Sequence, residues 1–413
     1  MCTIQASAFR GLCKFSRWKV QDSCKTVRGM KTKLFRHGIQ ALHRTFHTSI
    51  PQCSTTTPMS PSLQNVEKIL GVQKMEESTE KLFVGLMRHD RASLARAITL
   101  IESSNVQKRR QGQLLLTSVL EHLKDEDTVS SGGLRSFRIG LSGPPGAGKS
   151  TFIEYFGKYL TSLGHRVAVL AVDPSSSTTG GSLLADKTRM PKLSVDPNAF
   201  IRPSPASGTL GGVARNTNEA VVLCEGAGFD IILIETVGVG QSEFAVLDMV
   251  DLFCLLIPPA GGDELQGIKR GIVEVSDLVV VNKSDGDLEP AARRIQAEYI
   301  SALKFMKKRS RIWQPKVLRI SSIKGNGISE LWELMCEFRE MLGAAGELKS
   351  KRQRQLQVWM WNHIRDRVLD VFRRQHAVVQ QLPELEDMVT KGLITPGLAA
   401  DILLEKFLVA MAK

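Results

Sequence analysis

Eight residues constrain this chain more than any others: Gly143-Pro144-Pro145-Gly146-Ala147-Gly148-Lys149-Ser150. They fit the G-x-x-x-x-G-K-S/T spacing of a phosphate-binding loop in full. Context turns the match into a site, because an apolar run of strand length ends at Leu141 and a helical pattern follows over residues 151–163. Glycines there let backbone N–H groups wrap the α- and β-phosphates at the positive end of the helix. Lys149 is placed to reach the β- and γ-phosphates, and the Ser150 hydroxyl to meet Mg²⁺. Gly143, Pro144, Pro145, Gly146, Ala147, Gly148 and Thr151 complete the expected phosphate contacts.

A loop of that kind needs a parallel sheet behind it. Short apolar runs at 137–141, 166–172, 230–234, 252–257, 277–281 and 316–320 alternate with amphipathic helical stretches. Fully apolar runs such as Ile231-Ile232-Leu233-Ile234 fit central strands covered on both faces. The alternation predicts an α/β, doubly wound, mainly parallel sheet. Helical extensions flank it on both sides. Residues 61–130 read as an N-terminal helical module and 131–345 as the sheet domain. Residues 346–413 read as a helical arm, in which Pro383 and Pro396 punctuate shorter pieces. The arm's apolar positions, among them Trp359, Trp361, Ile364, Val368 and Phe372, need a cover on the domain or on a second copy.

The base is read from Asn282-Lys283-Ser284-Asp285, which follows the fifth apolar run. The Asp285 carboxylate suits the N1–H and 2-amino donors of guanine, whereas adenine would leave it unpaired. Asn282 is expected to tie this loop to the phosphate loop, and the Lys283 stem to cover the base. Ser321, Ser322 and Ile323 follow the next run, where backbone N–H groups would meet the base carbonyl. Two further run ends carry acids. Asp173 opens DPSSSTTGG, and Glu235 opens ETVGVGQ with Gly238 in the γ-phosphate-sensing position. Strand ends beside a phosphate loop are where metal-organising carboxylates belong. Ser150, Asp173 and Glu235 are therefore the Mg²⁺ candidates, and Lys149, Glu235 and Gly238 the hydrolytic ones. Whether Glu235 binds the metal through water or positions the attacking water stays open. Asp186 is a weaker candidate on the long loop after Asp173.

Charge distribution bears on location and partners. The chain holds 55 Lys and Arg against 42 Asp and Glu, a net +13. Residues 1–60 contain ten bases and one acid, so +9 lies there and +4 in all the rest. That acid-poor leader reads as a mitochondrial presequence with Arg44-Thr45-Phe46-His47-Thr48-Ser49 as its processing region; a disordered basic tail is the alternative. A nearly balanced body argues against a nucleic-acid partner, and the Lys349–Arg354 basic run reads as a solvated helix face. No apolar run approaches a membrane span. Cys224, Cys254 and Cys336 are scattered through the body, which suggests neither a disulfide frame nor a zinc site.

Taken in order, GPPGAGKST, DPSSSTTGGSLLADKTRM, ETVGVGQSE, PPAGGDELQGIKRGI and NKSD resemble the metal- and cobalamin-chaperone branch of P-loop GTPases. Within it the chain is similar to the chaperones of methylmalonyl-CoA mutase over about residues 66 to 413. The resemblance implies GTP hydrolysis that gates adenosylcobalamin loading and exchange on the mutase and protects it. It also implies a homodimer in the mitochondrial matrix and a slow intrinsic rate that the partner speeds up. No D-x-H-x-x-G cobalamin motif is present, so the chain is expected to gate the cofactor, not carry it. Residues 258–270, with Gln266 and Lys269, and also Asp186, are expected to couple nucleotide state to the partner. Nickel-insertion GTPases are the nearest alternative, but His363 and His376 are isolated. A protein kinase is a second alternative, and a basic nucleic-acid-binding module a third.

Overall fold

A computed structural model describes residues 75–103, 105–129, 134–172, 190–203, 210–236, 242–259, 270–306 and 309–412. The expected leader, and the expectations placed on Asp173, Asp186, Gly238, Gln266 and Lys269, lie outside them. Helices α1 (Glu77–Met87), α2 (Arg91–Ile101) and α3 (Val106–Val129) precede β1 (Phe137–Ser142) and α4 (Lys149–Ser162). Then come β2 (Val167–Val172), α5 (Pro191–Ser194), β3 (Ala199–Pro203), α6 (Leu210–Gly226), β4 (Ile231–Thr236) and α7 (Ser242–Leu247). β5 (Leu252–Ile257), α8 (Arg270–Val275), β6 (Leu278–Val281), α9 (Glu289–Lys304), β7 (Lys316–Arg319) and α10 (Ile328–Ala344) follow. The arm is α11 (Glu347–Arg374), α12 (His376–Thr390) and α13 (Pro396–Met411).

All seven strands run parallel in the order β3-β2-β4-β1-β5-β6-β7. Their direction of progression reverses at β1, so the crevice beyond its carboxyl end is where a ligand belongs. The register seats Ile139 of β1 opposite Leu233 on one side and Leu252 on the other. β1, β5 and β6 are buried along their whole length, which only helices on both faces can achieve.

One face carries a core of Ile232, Ile234, Phe253, Leu255, Val221 and Phe229, and it extends without a break into Leu86, Leu94, Ile98 and Val119. The N-terminal helices therefore finish one side of the sheet. The opposite face packs Phe152, Phe156, Leu331, Met335 and Phe338 on Leu141, Leu233 and Leu252.

Three expectations need correction. A seventh strand, β3, was not foreseen: it is five residues long, ends in Pro203 and pairs on one side only. Proline is confined to such edges because it donates nothing to a ladder. Pro383 does not punctuate the arm, since it lies inside α12. It sits on the exposed side, where water can take the carbonyl hydrogen bond it forfeits. The basic run is not merely a solvated face: Lys351 and Arg352 dock on the domain, through Asp251.

Of the arm's apolar residues, Trp359 is covered by the domain core, while Trp361 is 63% exposed and Val368 54%. Val378, Leu385, Ala399 and Leu403 form a small core of their own between α12 and α13. No helix among the described residues is long and apolar enough to cross a membrane.

Candidate functional site

The phosphate loop leaves β1 at Ser142 and enters α4 at Lys149, two residues earlier than the sequence pattern suggested. Gly148 sits at the entry with φ +85, a left-handed conformation, and an added Cβ would stand 2.8 Å from Asn282 Nδ2. Only glycine meets both requirements. Lys149 is buried, and its Nζ donates to Gly143 O at 2.7 Å and Pro144 O at 3.3 Å. Burial pushes the ammonium pKa down, and the carboxylates of Glu235 and Glu243 oppose that shift by favouring the charged form.

Ser150 follows on the first turn, with its Oγ donating to Glu235 Oε1 at 3.4 Å. Two strand ends thus bring a hydroxyl and a carboxylate together beside the phosphate loop. Both donors are hard oxygens, the chemistry that Mg²⁺ selects.

The residues expected to read the base converge from the ends of β6 and β7. Asn282 is buried, donates from Nδ2 to Ala147 O at 3.0 Å, and accepts from the Ser322 hydroxyl at 2.7 Å. It ties the two loops together as its position in the motif suggested. Lys283 is one of two non-glycine residues with positive φ among the described residues, at 57°. Such a backbone is strained by about 1–2 kcal/mol. Its Nζ reaches Gly146 O at 2.7 Å, so the stem lies alongside the phosphate loop. Ser321 Oγ donates to Asp285 Oδ2 at 2.9 Å and fixes the plane of that carboxylate. Ser321 and Ser322 are buried, whereas Ile323 is 66% exposed on the rim.

These residues bring together a cationic phosphate cradle, an oxygen pair suited to a divalent cation and an oriented carboxylate suited to guanine. The pattern from the sequence omitted Glu243, which is 2% exposed and acts electrostatically on Lys149. No local motif marks it, because its position depends on Val246, Met249 and Val250 packing α7 and the turn after it into the core.

The family described as Methylmalonyl Co-A mutase-associated GTPase MeaB matches residues 94–377. The chain is a MeaB-family GTPase. A mouse (Mus musculus) relative described as "Methylmalonic aciduria type A homolog, mitochondrial" is 61% identical over 334 residues, 81% of this chain and 80% of its own. A Mycobacterium tuberculosis relative described as a probable GTPase is 49% identical over 330 residues, 80% of this chain and 95% of its own. Among solved structures, one described as LAO/AO transport system kinase superposes with a TM-score of 0.61 at 33% identity, covering 80% of this chain and 98% of that one. The family match begins inside α2 and ends inside α12, so it takes in the sheet domain and all of α11.

For this MeaB-family chain, Lys149→Ala and Ser150→Ala are each expected to lower GTP turnover about 10²–10³-fold, the usual cost of deleting one preorganised charge-stabilising donor. Circular dichroism should show both variants folded, because neither side chain belongs to either hydrophobic core. Unfolded variants would mean that the two residues are structural.

Proposed function

We propose that this GTPase is a mitochondrial matrix chaperone of methylmalonyl-CoA mutase, in which GTP binding and hydrolysis gate adenosylcobalamin loading and exchange and protect the mutase. The reading is carried by one conjunction: a guanine-suited nucleotide site in a chain of the mutase-associated GTPase family. The mitochondrial names of its mouse and Caenorhabditis elegans relatives support the location, as does the basic leader.

Ser150 and Glu235, with Asp173, would hold Mg²⁺, which when bound neutralises charge on the β- and γ-phosphate oxygens. Lys149 offers its ammonium to the same phosphates, and the backbone N–H groups of residues 146–150 orient them. Asp285 accepts from guanine N1–H and its 2-amino group, while Ser321, Ser322 and Ile323 present backbone to the base carbonyl. The closeness of Glu235 to Ser150 supports a role for it on the metal's side of the site. Gly238, outside the described residues, is proposed as the glycine that senses the γ-phosphate. A homodimer is proposed through the arm, because Trp361, Ile364 and Val368 are exposed apolar residues spaced along one side of α11, where a second copy could cover them.

The decisive experiment measures GTP turnover with and without the mutase. Turnover should rise in its presence, and Gln266→Ala or Lys269→Ala should keep the intrinsic rate yet lose the acceleration. Turnover indifferent to the mutase would defeat the proposal. Acceleration that survives in both variants would remove residues 258–270 from the coupling alone.

A further inference from the structure

Helix α7 is six residues long and joins two functional regions. It begins with Ser242-Glu243, beyond the β4 end that carries Glu235, and its buried Glu243 carboxylate acts on the Lys149 ammonium. At its other end, residues 248–251 lead directly into β5. The helix is wedged, not loosely attached. Val246 and Val250 lie against β1 at Gly140, where an added Cβ would stand 3.1 Å from Val246 Cγ1 and 3.0 Å from Val250 Cγ2.

The far end is gripped by the arm. Trp359 Nε1–H donates to Asp248 O at 2.7 Å, Gln355 Nε2–H to Val250 O at 2.8 Å and Lys351 Nζ to Asp251 O at 2.6 Å. Arg352 closes a two-pronged pair on the Asp251 carboxylate, at 2.8 Å and 2.6 Å. Lys351, Gln355 and Trp359 recur every fourth residue and so share one face of α11. Three of the four hold main-chain carbonyls, so the grip follows where the backbone of residues 248–251 goes.

The junction is also incompletely satisfied. Gln355 is 3% exposed, and its Oε1 has no hydrogen-bond partner among the described residues. Burial pushes the Asp248 carboxyl pKa up, against the pull of Lys351 and Arg309. A buried acceptor without a donor is costly, and a small shift of the junction is one way to relieve it.

We propose that α7 and residues 248–251 form a relay coupling occupancy of the phosphate site to the position of α11, with Glu243 as its input and Lys351, Arg352, Gln355 and Trp359 as its output. It rests on reading Lys149 as a phosphate ligand. Glu243 is a positioning residue: it acts through Lys149 and touches no reacting atom. Because α11 also carries the exposed apolar stripe of Trp361, Ile364 and Val368, the relay turns a phosphate signal into a change at the arm.

Linkage makes the relay reciprocal, so loosening the grip must change nucleotide preference. Affinities for GDP and a non-hydrolysable GTP analogue are to be measured on the full chain and on Trp359→Phe, Gln355→Leu and Glu243→Gln. In parallel, fluorine NMR of fluorotryptophan-labelled protein follows Trp359, its resonance assigned by its loss in Trp359→Phe. The Trp359 resonance should differ between the two nucleotide states in the parent and coincide in Glu243→Gln. The analogue-to-GDP affinity ratio should change about fivefold or more in Trp359→Phe and Gln355→Leu. A Trp359 resonance identical in both states of the parent, or a ratio within about twofold of the parent in both folded arm variants, would overturn the relay. Lys149→Ala with undiminished nucleotide binding and turnover would instead defeat the reading of the phosphate site, which separates the two failures.

Discussion

Asp285→Ala is expected to weaken GTP and GDP binding about 10²–10⁴-fold, the largest effect on nucleotide binding of any single substitution in the base site. Each hydrogen bond from guanine to a carboxylate contributes about 1.5–3 kcal/mol, and two are lost together. The Ser321 hydroxyl loses its acceptor as well, so the carboxylate's orientation cannot be supplied by another group. Asp285→Asn tests the assignment more sharply. The amide keeps one acceptor for N1–H and presents a donor where guanine has its 2-amino group. Xanthine carries a carbonyl there, so preference should move from guanine toward xanthine nucleotides. Competition titrations with GDP, XDP and ADP against a fluorescent guanine nucleotide read both outcomes. Equal GDP and ADP affinities in the parent would sink the base assignment altogether.

That expectation is readable from the sequence because NKxD places chemistry in four consecutive positions at a strand end. The phosphate loop is equally local: a strand, a glycine turn and a helix adjoin one another in the chain. Central strands were legible for a related reason, since burial on both faces demands an unbroken apolar run. β3 was not legible because an edge strand makes no such demand, and Ala199-Phe200-Ile201-Arg202-Pro203 reads as a loop approaching a proline. Glu243 escaped notice because its significance depends on a fold that returns α7 to β1. The docking of α11 escaped for the same reason: Arg352 and Asp251 lie 101 residues apart, and nothing in a basic run says which of its charges will be buried. Local chemistry was therefore readable, and long-range electrostatics was not.

That buried pair supports the second large effect, on stability. Arg352→Ala is expected to destabilise the fold by about 3–5 kcal/mol, the cost of leaving a buried charge without its partner. Asp251 is 0% exposed and takes both prongs of Arg352, besides the Arg138 backbone N–H at 2.9 Å. Arg352 Nη2 also donates to Ser136 O. Glu225, 11% exposed at its side chain, pairs with Arg138 and lies 3.7 Å from Arg352. Burial alone would push both carboxyl pKa values up; for Asp251 the Arg352 guanidinium, and for Glu225 chiefly Arg138, outweigh it and hold both below the ordinary carboxylate range. A depressed folded-state pKa contributes stability that is fully present above the unfolded values, about 3.9 for Asp and 4.3 for Glu, and is lost as pH falls through the folded ones. Removing Arg352 raises the folded values, so the variant's deficit is largest at neutral pH and is partly relieved once its folded carboxylates take up protons, at higher pH than in the parent. Thermal melts should place Arg352→Ala roughly 5–10 °C below the parent at neutral pH. The gap should narrow on titration toward pH ~5, where proton uptake begins to relieve the uncompensated carboxylates of the folded variant while those of the parent stay ionised. Arg352→Lys keeps a charge but not the planar two-pronged donor, so it should recover only part of the difference. A variant that melts with the parent at every pH would show that the arm is held by Trp359 packing and not by this pair.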